Sequence, residues 1–484
     1  MSHASRIGAA VAGLLGVLLL APSALGQGFF PGSDEIRRRL DERLARGGGV
    51  GVVVGLLEAD GTRRFVAAGS SGNGVPLDEH ALFEIGSVTK PFTATLLADM
   101  VARGEVSLDD AVAKYLPAGT RVPERNGRAI TLATLATHTA GLPRNPTNLR
   151  PADPRDPFGD YGLDRLYEFL ATCELPRDPG ESWSYSNVGF GLLGHALERR
   201  AGTTYAKLLA GRVLAPLGMT ETSVGLDPAL QRKAVQGHDE AFAPAPMWDL
   251  GPLPAAGAIR STASDMLSFA AANLSAESDR LHAAMRAAHA PRVPMKDDQR
   301  VGLAWMVAKP KTRTITWHWG GTGGFRSYLG LDLEGRRAVV ILTNASQMWN
   351  DFGHNLLDPE VSLGPASADG LFAKLLREKG LDAALARVRA LKAMEPAAWS
   401  FEEAHFNAAG YRLLSEKRPA DAVKVFTLGT ELFPENGNPW DSLGEALLAA
   451  GEKEKAIAAY RRSVELDPKN RNGIEALEKL TKAP

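Results

Sequence analysis

Two patterns of apolar and polar positions divide the chain. Ser33–Ala45 alternates apolar and charged residues as a helix does, with Ser33 or Asp34 as its cap. Val50–Glu58 is valine-rich and nearly uninterrupted, which predicts a buried strand, and Arg63–Ala68 reads as its hairpin partner across Asp60-Gly61. Three further strands are expected at Thr312–Trp319, Ser327–Asp332 and Arg337–Leu342, joined by glycine turns. Between these ends, Pro91 to Ala272 reads as mostly helical with long proline-rich loops. Strands at both ends with helices between predict one sheet built from both termini of a domain at 33–357. A helical insertion would lie beside it.

After Asp358 the pattern becomes helical, with few β-branched runs. An internal repeat pairs Asn407 with Asp441, Gly410 with Gly444, Ala422 with Ala456, Phe426 with Tyr460 and Pro434 with Pro468. Trp440-Asp441-Ser442-Leu443-Gly444 and Ala422-x₃-Phe426 resemble the two helices of a tetratricopeptide repeat, although Leu447 stands where that repeat carries tyrosine. Such units need neighbours to bury their apolar faces. Residues 401–484 are therefore expected to hold the repeats, closed by a capping helix at Ile474–Leu480. Residues 358–400, with Leu371–Leu391, would be a helical linker or degenerate repeat.

Composition and charge exclude several classes. The 484 residues carry 55 Lys and Arg against 56 Asp and Glu, with 44% hydrophobic residues. That is a globular balance with no electrostatic drive toward nucleic acid or an anionic membrane. The single cysteine, Cys173, allows no intramolecular disulfide. No zinc-ligand spacing or H-E-x-x-H motif occurs, so no metal or other cofactor is expected. Gly49-x-Gly51 precedes the valine strand instead of following one, so it makes no dinucleotide cradle, and no G-x-S-x-G elbow is present. At the N-terminus, Arg6, the uncharged run Ile7–Leu20, Pro22 and Ala24-Leu25-Gly26 have the layout of a secretory signal peptide over residues 1–26. The run is shorter than the about 20 residues that span a bilayer, so cleavage and export to the periplasm or medium are expected, with no transmembrane anchor left.

Three motifs carry chemistry. Phe83-Glu84-Ile85-Gly86-Ser87-Val88-Thr89-Lys90 contains S-x-x-K, which puts a serine and a lysine on one face of a helix start. The lysine can serve as base if it loses its proton, and the helix N-terminus favours developing negative charge at Ser87. Tyr185-Ser186-Asn187 is a Y-x-N before an apolar helix. A phenol beside a lysine cation is expected to have its pKa pulled down, and Asn187 can bond both the lysine and a substrate carbonyl. Trp317-His318-Trp319-Gly320-Gly321-Thr322-Gly323-Gly324-Phe325 runs a strand into glycines that admit close backbone approach. A backbone N–H there and that of Ser87 could form an oxyanion hole.

The ordered set S-x-x-K, Y-x-N, H-x-G resembles the serine β-lactamase and penicillin-binding-protein fold family. It is most similar to the branch with class C β-lactamases, D-Ala-D-Ala carboxypeptidases, D-aminopeptidases and esterases. The flanks His138-Thr139-Ala140-Gly141-Leu142-Pro143, Leu214-Ala215-Pro216-Leu217-Gly218-Met219 and Ser261-Thr262-Ala263-Ser264-Asp265-Met266 resemble that branch too. The resemblance implies an α+β β-lactamase/transpeptidase-like domain, an antiparallel sheet flanked by helices, followed by the all-α tetratricopeptide region. It implies Ser87 as acyl-accepting nucleophile. Lys90 and Tyr185 would share the base and leaving-group roles. Asn187, His318 and Gly320 would be substrate-binding residues, with Gly321 as oxyanion donor. A frame shifted by one, Trp319-Gly320-Gly321, resembles the W-G-G of some esterases and stays open.

His318 stands where lactamases carry the lysine of K-T-G, and an imidazole near pKa 6.5 is mostly neutral above pH 7. Esters or amides lacking a carboxylate are therefore favoured over β-lactams. No residue matches the deacylating carboxylate of class A enzymes, so water activation falls to Tyr185 or to the substrate. The reading is an exported serine hydrolase. Its alternatives are a D-Ala-D-Ala carboxypeptidase or D-aminopeptidase, a weak β-lactamase, or a binding protein without turnover that recruits a protein partner through the repeats. Trp248, Trp305 and Phe325 are expected as walls of an apolar pocket, and His138 and His195 as structural residues.

Overall fold

The computed structural model describes residues 28–482 apart from 226 and 395; the signal peptide expected over residues 1–26 lies outside the described residues. An eight-stranded antiparallel sheet organises the first two thirds. Its strands are β1 (Gly51–Leu57), β2 (Arg63–Gly69), β3 (Val293–Pro294), β4 (Arg300–Val301), β5 (Met306–Ala308), β6 (Ile315–Gly321), β7 (Arg326–Asp332) and β8 (Arg337–Thr343). The order is β3-β4-β5-β6-β7-β8-β1-β2, so the N-terminal hairpin completes the sheet begun by the C-terminal strands. This is the assembly of both ends that the strand pattern predicts.

Both faces of β1 are buried, which explains its unbroken apolar run. Val52, Val54 and Leu56 join an outer core with Ile36, Leu40 and Leu44 of helix α1 (Ser33–Ala45). Each such side chain contributes about 1.5–3 kcal/mol when fully buried. Val53 and Leu57 face the larger inner core instead, with Phe92, Leu96 and Leu267. The cap of α1 is Gly32, which makes no side-chain bond, instead of Ser33 or Asp34. Asp34 and Glu35 still place negative charge in its first turn.

The register of β6 differs from expectation and bears on the site. Thr312 and Arg313 lie outside the strand because the Asp358 carboxylate accepts their backbone N–H groups at 2.7 and 3.0 Å. At the other end the strand continues through Gly320 and Gly321, which pair with Ser327 and Arg326 instead of turning. The inserted region is helical, as expected, with α2 (Thr89–Ala102), α3 (Asn187–Ala201) and α4 (Ala263–Leu274) among its helices. It also holds short strands without a periodic signal, including Phe83–Glu84 paired with Ile259–Ser261.

Beyond α5 (Asn350–Leu357) come α6 (Ala368–Lys379), α7 (Leu381–Met394), α8 (Glu403–Ser415), α9 (Pro419–Leu432), α10 (Gly437–Ala449), α11 (Lys453–Leu466) and α12 (Arg471–Thr481). They share a separate apolar core. The repeat has a packing cause: a Cβ on Gly410 would meet the Phe426 ring at 2.5 Å, and one on Gly444 would meet Tyr460 at 3.0 Å. Each pair lets one helix lie close on the next. The junction to the C-terminal end of α1 is close: Lys374 Nζ donates to Leu44 O at 2.9 Å, and the Arg46 guanidinium lies 4.6 Å from the Trp399 ring.

Candidate active site

Ser87 sits in a single 3₁₀ turn, Gly86–Val88, that runs into α2. Gly86 has φ +48°, and a Cβ there would lie 2.7 Å from Gly321 N, so the turn presses directly on the end of β6. Ile85 O accepts the Ser327 hydroxyl at 2.7 Å, fixing the turn to β7 from the other side.

Lys90, one turn on, is fully buried. Its Nζ lies 3.0 Å from Ser87 Oγ, 3.0 Å from Asn187 Oδ1 and 2.7 Å from Ala256 O. Asn187 begins α3, and its Nδ2 donates to Asn145 Oδ1 at 2.9 Å, which fixes the orientation of the amide. Burial, and secondarily the Arg144 charge, hold the Lys90 amine well below the usual lysine range.

Tyr185 lies in the extended segment before α3, with Lys90 Nζ 4.8 Å from its ring centre. Burial pushes its phenol up to about 12, against a lowering bond to Ser87 and a lesser effect of Arg144. The lowered phenol pKa expected from the sequence is therefore corrected: the buried amine, itself lowered, gives up its proton before the phenol does and so does not pull it down. Tyr185 keeps its O–H. His318, on β6, has its ring centre 6.4 Å from that of Tyr185 and is buried. Burial, reinforced by Lys90, lowers its imidazole to about 3, so titration near 6.5 is also corrected. Its Nδ1–H donates to Trp319 O at 2.7 Å, leaving Nε2 as the acceptor nitrogen.

Gly320 packs where no side chain fits: a Cβ would lie 2.0 Å from Ile85 O. The Thr322 N–H bonds Phe325 O, so ladder alternation puts Gly320 opposite Ser327 in a bonded pair and turns the Gly321 N–H away from β7. That N–H thus faces the side of the Ser87 turn, where a Cβ on Gly86 would lie 2.7 Å from the nitrogen. The structure brings Ser87, Lys90, Tyr185, Asn187, His318, Gly320 and Gly321 together from three separated segments.

Two expected pocket walls are elsewhere. Trp305 and Phe325 are wholly buried, Trp305 against Phe269 and His289 and Phe325 against Phe83. Trp248 is half-buried beside the turn after β6, and its Nε1 donates to Arg155 O at 2.7 Å. His195 bonds Tyr167 and Glu198, as a structural histidine should. His138 does more than hold a loop. Its carbonyl accepts the Ser184 N–H at 2.7 Å, its Nδ1 accepts the Ser186 N–H at 3.0 Å, and its ring stacks 4.4 Å from that of Tyr185. It clamps the chain on both sides of Tyr185, with φ +58°. The His138–Pro143 flank carried that signal, but one histidine in a loop does not show which segment it will hold.

Glu84 also escaped sequence reading. Its buried carboxylate accepts the Trp248 N–H at 2.8 Å and pairs with Arg260 at 3.2 Å. Burial raises it to about 7 despite Arg260, with Asp156 adding to the rise and Thr322 opposing it. An unfolded glutamate titrates near 4.5. Between those values the folded state holds a proton that the unfolded chain releases, so stability falls as pH rises from 4.5 to about 7. The upper bound is about 3 kcal/mol. Urea midpoints at pH 5 and pH 8 should therefore diverge less in Glu84→Gln than in the wild type. An equal difference in both proteins would remove Glu84 from the pH dependence.

Comparisons with known proteins identify the family. The Beta-lactamase family model matches residues 36–361, and a tetratricopeptide-repeat model matches 438–470. The chain is 31% identical over 317 residues to the D-alanyl-D-alanine-carboxypeptidase/endopeptidase AmpH of Escherichia coli (strain K12), covering 62% of this chain and 80% of that protein. It is 34% identical over 186 residues to the esterase EstB of Burkholderia gladioli, covering 36% of this chain and 46% of that one. The crystal structure of a β-lactamase/D-alanine carboxypeptidase from Yersinia pestis complexed with citrate superposes with a TM-score of 0.57 at 26% identity, covering 65% of this chain and 93% of that one. Fold, motif geometry and sequence similarity converge, and the chain belongs to the β-lactamase family of serine hydrolases, with a tetratricopeptide repeat near its C-terminus.

Proposed function

We propose that this protein is an exported serine hydrolase that acts through an acyl-enzyme on Ser87, on ester or amide substrates. The observation that carries this reading is the environment of Lys90 Nζ. Two of its three partners, Asn187 Oδ1 and Ala256 O, are acceptors only. A neutral amine satisfies both with its two N–H groups and turns its lone pair to the Ser87 hydroxyl. Lys90 then takes the Ser87 proton as Oγ attacks the substrate carbonyl carbon. The oxyanion is received by the N–H groups of Gly321 and Ser87, each such donor being worth about 10²–10³ in rate. Collapse breaks the bond to the leaving group, which takes the Tyr185 proton, and Lys90 returns its proton to Tyr185. Water repeats the sequence in reverse order to release the acid. Asn187 orients the substrate.

The neutral, buried His318 favours substrates that do not depend on a cation at that position. D-Alanyl peptides are the second reading, supported by the similarity to a carboxypeptidase. The repeats suit recruitment of a protein partner. Export rests on the layout of residues 1–26. Among the described residues no helix is long and apolar enough to cross a membrane.

A fluorophosphonate should add once to the protein, at Ser87, and not at all to Ser87→Ala. Peptide mapping that finds the adduct on another serine would overturn the assignment. Relative turnover of a neutral nitrophenyl ester, a D-alanyl dipeptide and nitrocefin then ranks the substrate classes.

A further inference from the structure

We infer that Arg144 is an anion-recognising residue of this cleft, so that the enzyme favours substrates bearing a carboxylate near the scissile bond. The inference rests on the acyl-enzyme reading and deepens it. Arg144 is exposed, and its side chain makes no ion pair or hydrogen bond among the described residues. Its guanidinium carbon stands 5.0 Å from the Tyr185 ring centre. It is not an accidental surface cation, because its backbone is built into the site: Arg144 O accepts the Asn187 N–H at 2.7 Å and the Val188 N–H at 3.3 Å. The next residue, Asn145, holds the Asn187 amide. The segment that positions Asn187 therefore also carries an exposed planar cation over the Tyr185 ring.

The charge balance of the site gives that cation a purpose. His318 is buried and neutral, and burial also lowers the Lys90 amine. Arg144 is the permanent charge that acts on Lys90, Tyr185 and His138 together. A guanidinium binds carboxylate in a fork that a point-charge ammonium cannot offer. The recognised anion would thus sit on the Tyr185–Asn187 side, and not on β6.

The test compares three nitrophenyl-type esters: a neutral butyrate, a glutarate monoester with its carboxylate on the acyl side, and a butyryl ester of a nitro-hydroxybenzoate with its carboxylate on the leaving group. Arg144→Gln should lower the ratio of kcat/KM for one anionic ester over the neutral one by about 10- to 100-fold, the range of one charge-assisted contact. The arm that responds identifies the side of the substrate that is read. Arg144→Lys should recover part of the ratio, and Arg144→Glu should reverse it toward a choline ester. Because removing the charge also changes the Lys90 amine, the neutral ester serves as the internal reference. Both ratios unchanged in a variant that is folded by circular dichroism would overturn the inference. Fluorophosphonate labelling of Ser87 in the same variants separates the two levels: labelling with unchanged ratios refutes Arg144 alone, whereas an unlabelled wild type refutes the acyl-enzyme.

Discussion

Lys90→Met should leave a folded protein whose kcat/KM toward a neutral nitrophenyl ester is lower by about 10³, within the 10²–10⁴ range of a positioned proton-transfer group. Methionine matches the length of the lysine stem and removes a buried amine. It leaves Asn187 Oδ1 and Ala256 O without their shared donor, so a modest fall in stability accompanies the loss of rate. The loss should fall on kcat more than on KM, since the proton moves only when Ser87 attacks. The wild-type rate should decline on acidification as Lys90 takes up a proton, its amine being the lowered group nearest Ser87. His318→Gln should not move that acid limb, because an imidazole at about 3 does not titrate in the working range. A limb that disappears with His318 and survives Lys90→Met would exchange their roles.

Gly320→Ala should be nearly as damaging by a different route. The added methyl would lie 2.0 Å from Ile85 O and 2.5 Å from Ser327 Oγ, and Ile85 O belongs to rigid backbone one residue before the Gly86–Val88 turn. Strand β6 must therefore move away from Ser87. Overpacking of this kind costs about 1–3 kcal/mol, and displacing a reacting group by about 1 Å costs about 10²-fold in rate. Gly211→Ala is the matched control: it has open space around it, with nothing within 4 Å, and should keep full activity. Thermal unfolding and ester kinetics on the two variants decide the matter. Full activity in Gly320→Ala would mean that β6 and the nucleophile turn are not in the close register described.

What the sequence determined by itself was whatever local pattern or motif order can carry. The valine run of β1, the glycine-aromatic period of the C-terminal helices and the three motifs with their family resemblance were all readable, because each depends on neighbours a few residues apart or on linear order. The ends of β6 were not. Thr312 is drawn out of the strand by Asp358, and Gly320 is drawn in by its bonded pairing with Ser327; both partners are remote or across a strand. The protonation states were hidden for the same reason. An ordinary lysine, tyrosine and histidine were in the sequence, but burial decides which keeps a proton, and burial belongs to the assembled cleft. His138, Glu84 and Arg144 were visible as letters, without any sign of what they would touch. Only the packing of the Ser87 turn against β6 and α3 brings an imidazole against Tyr185, a carboxyl beneath Trp248 and a guanidinium over the phenol. Side-chain chemistry was fixed in the chain, and the dielectric and the partners that direct it came with the tertiary structure.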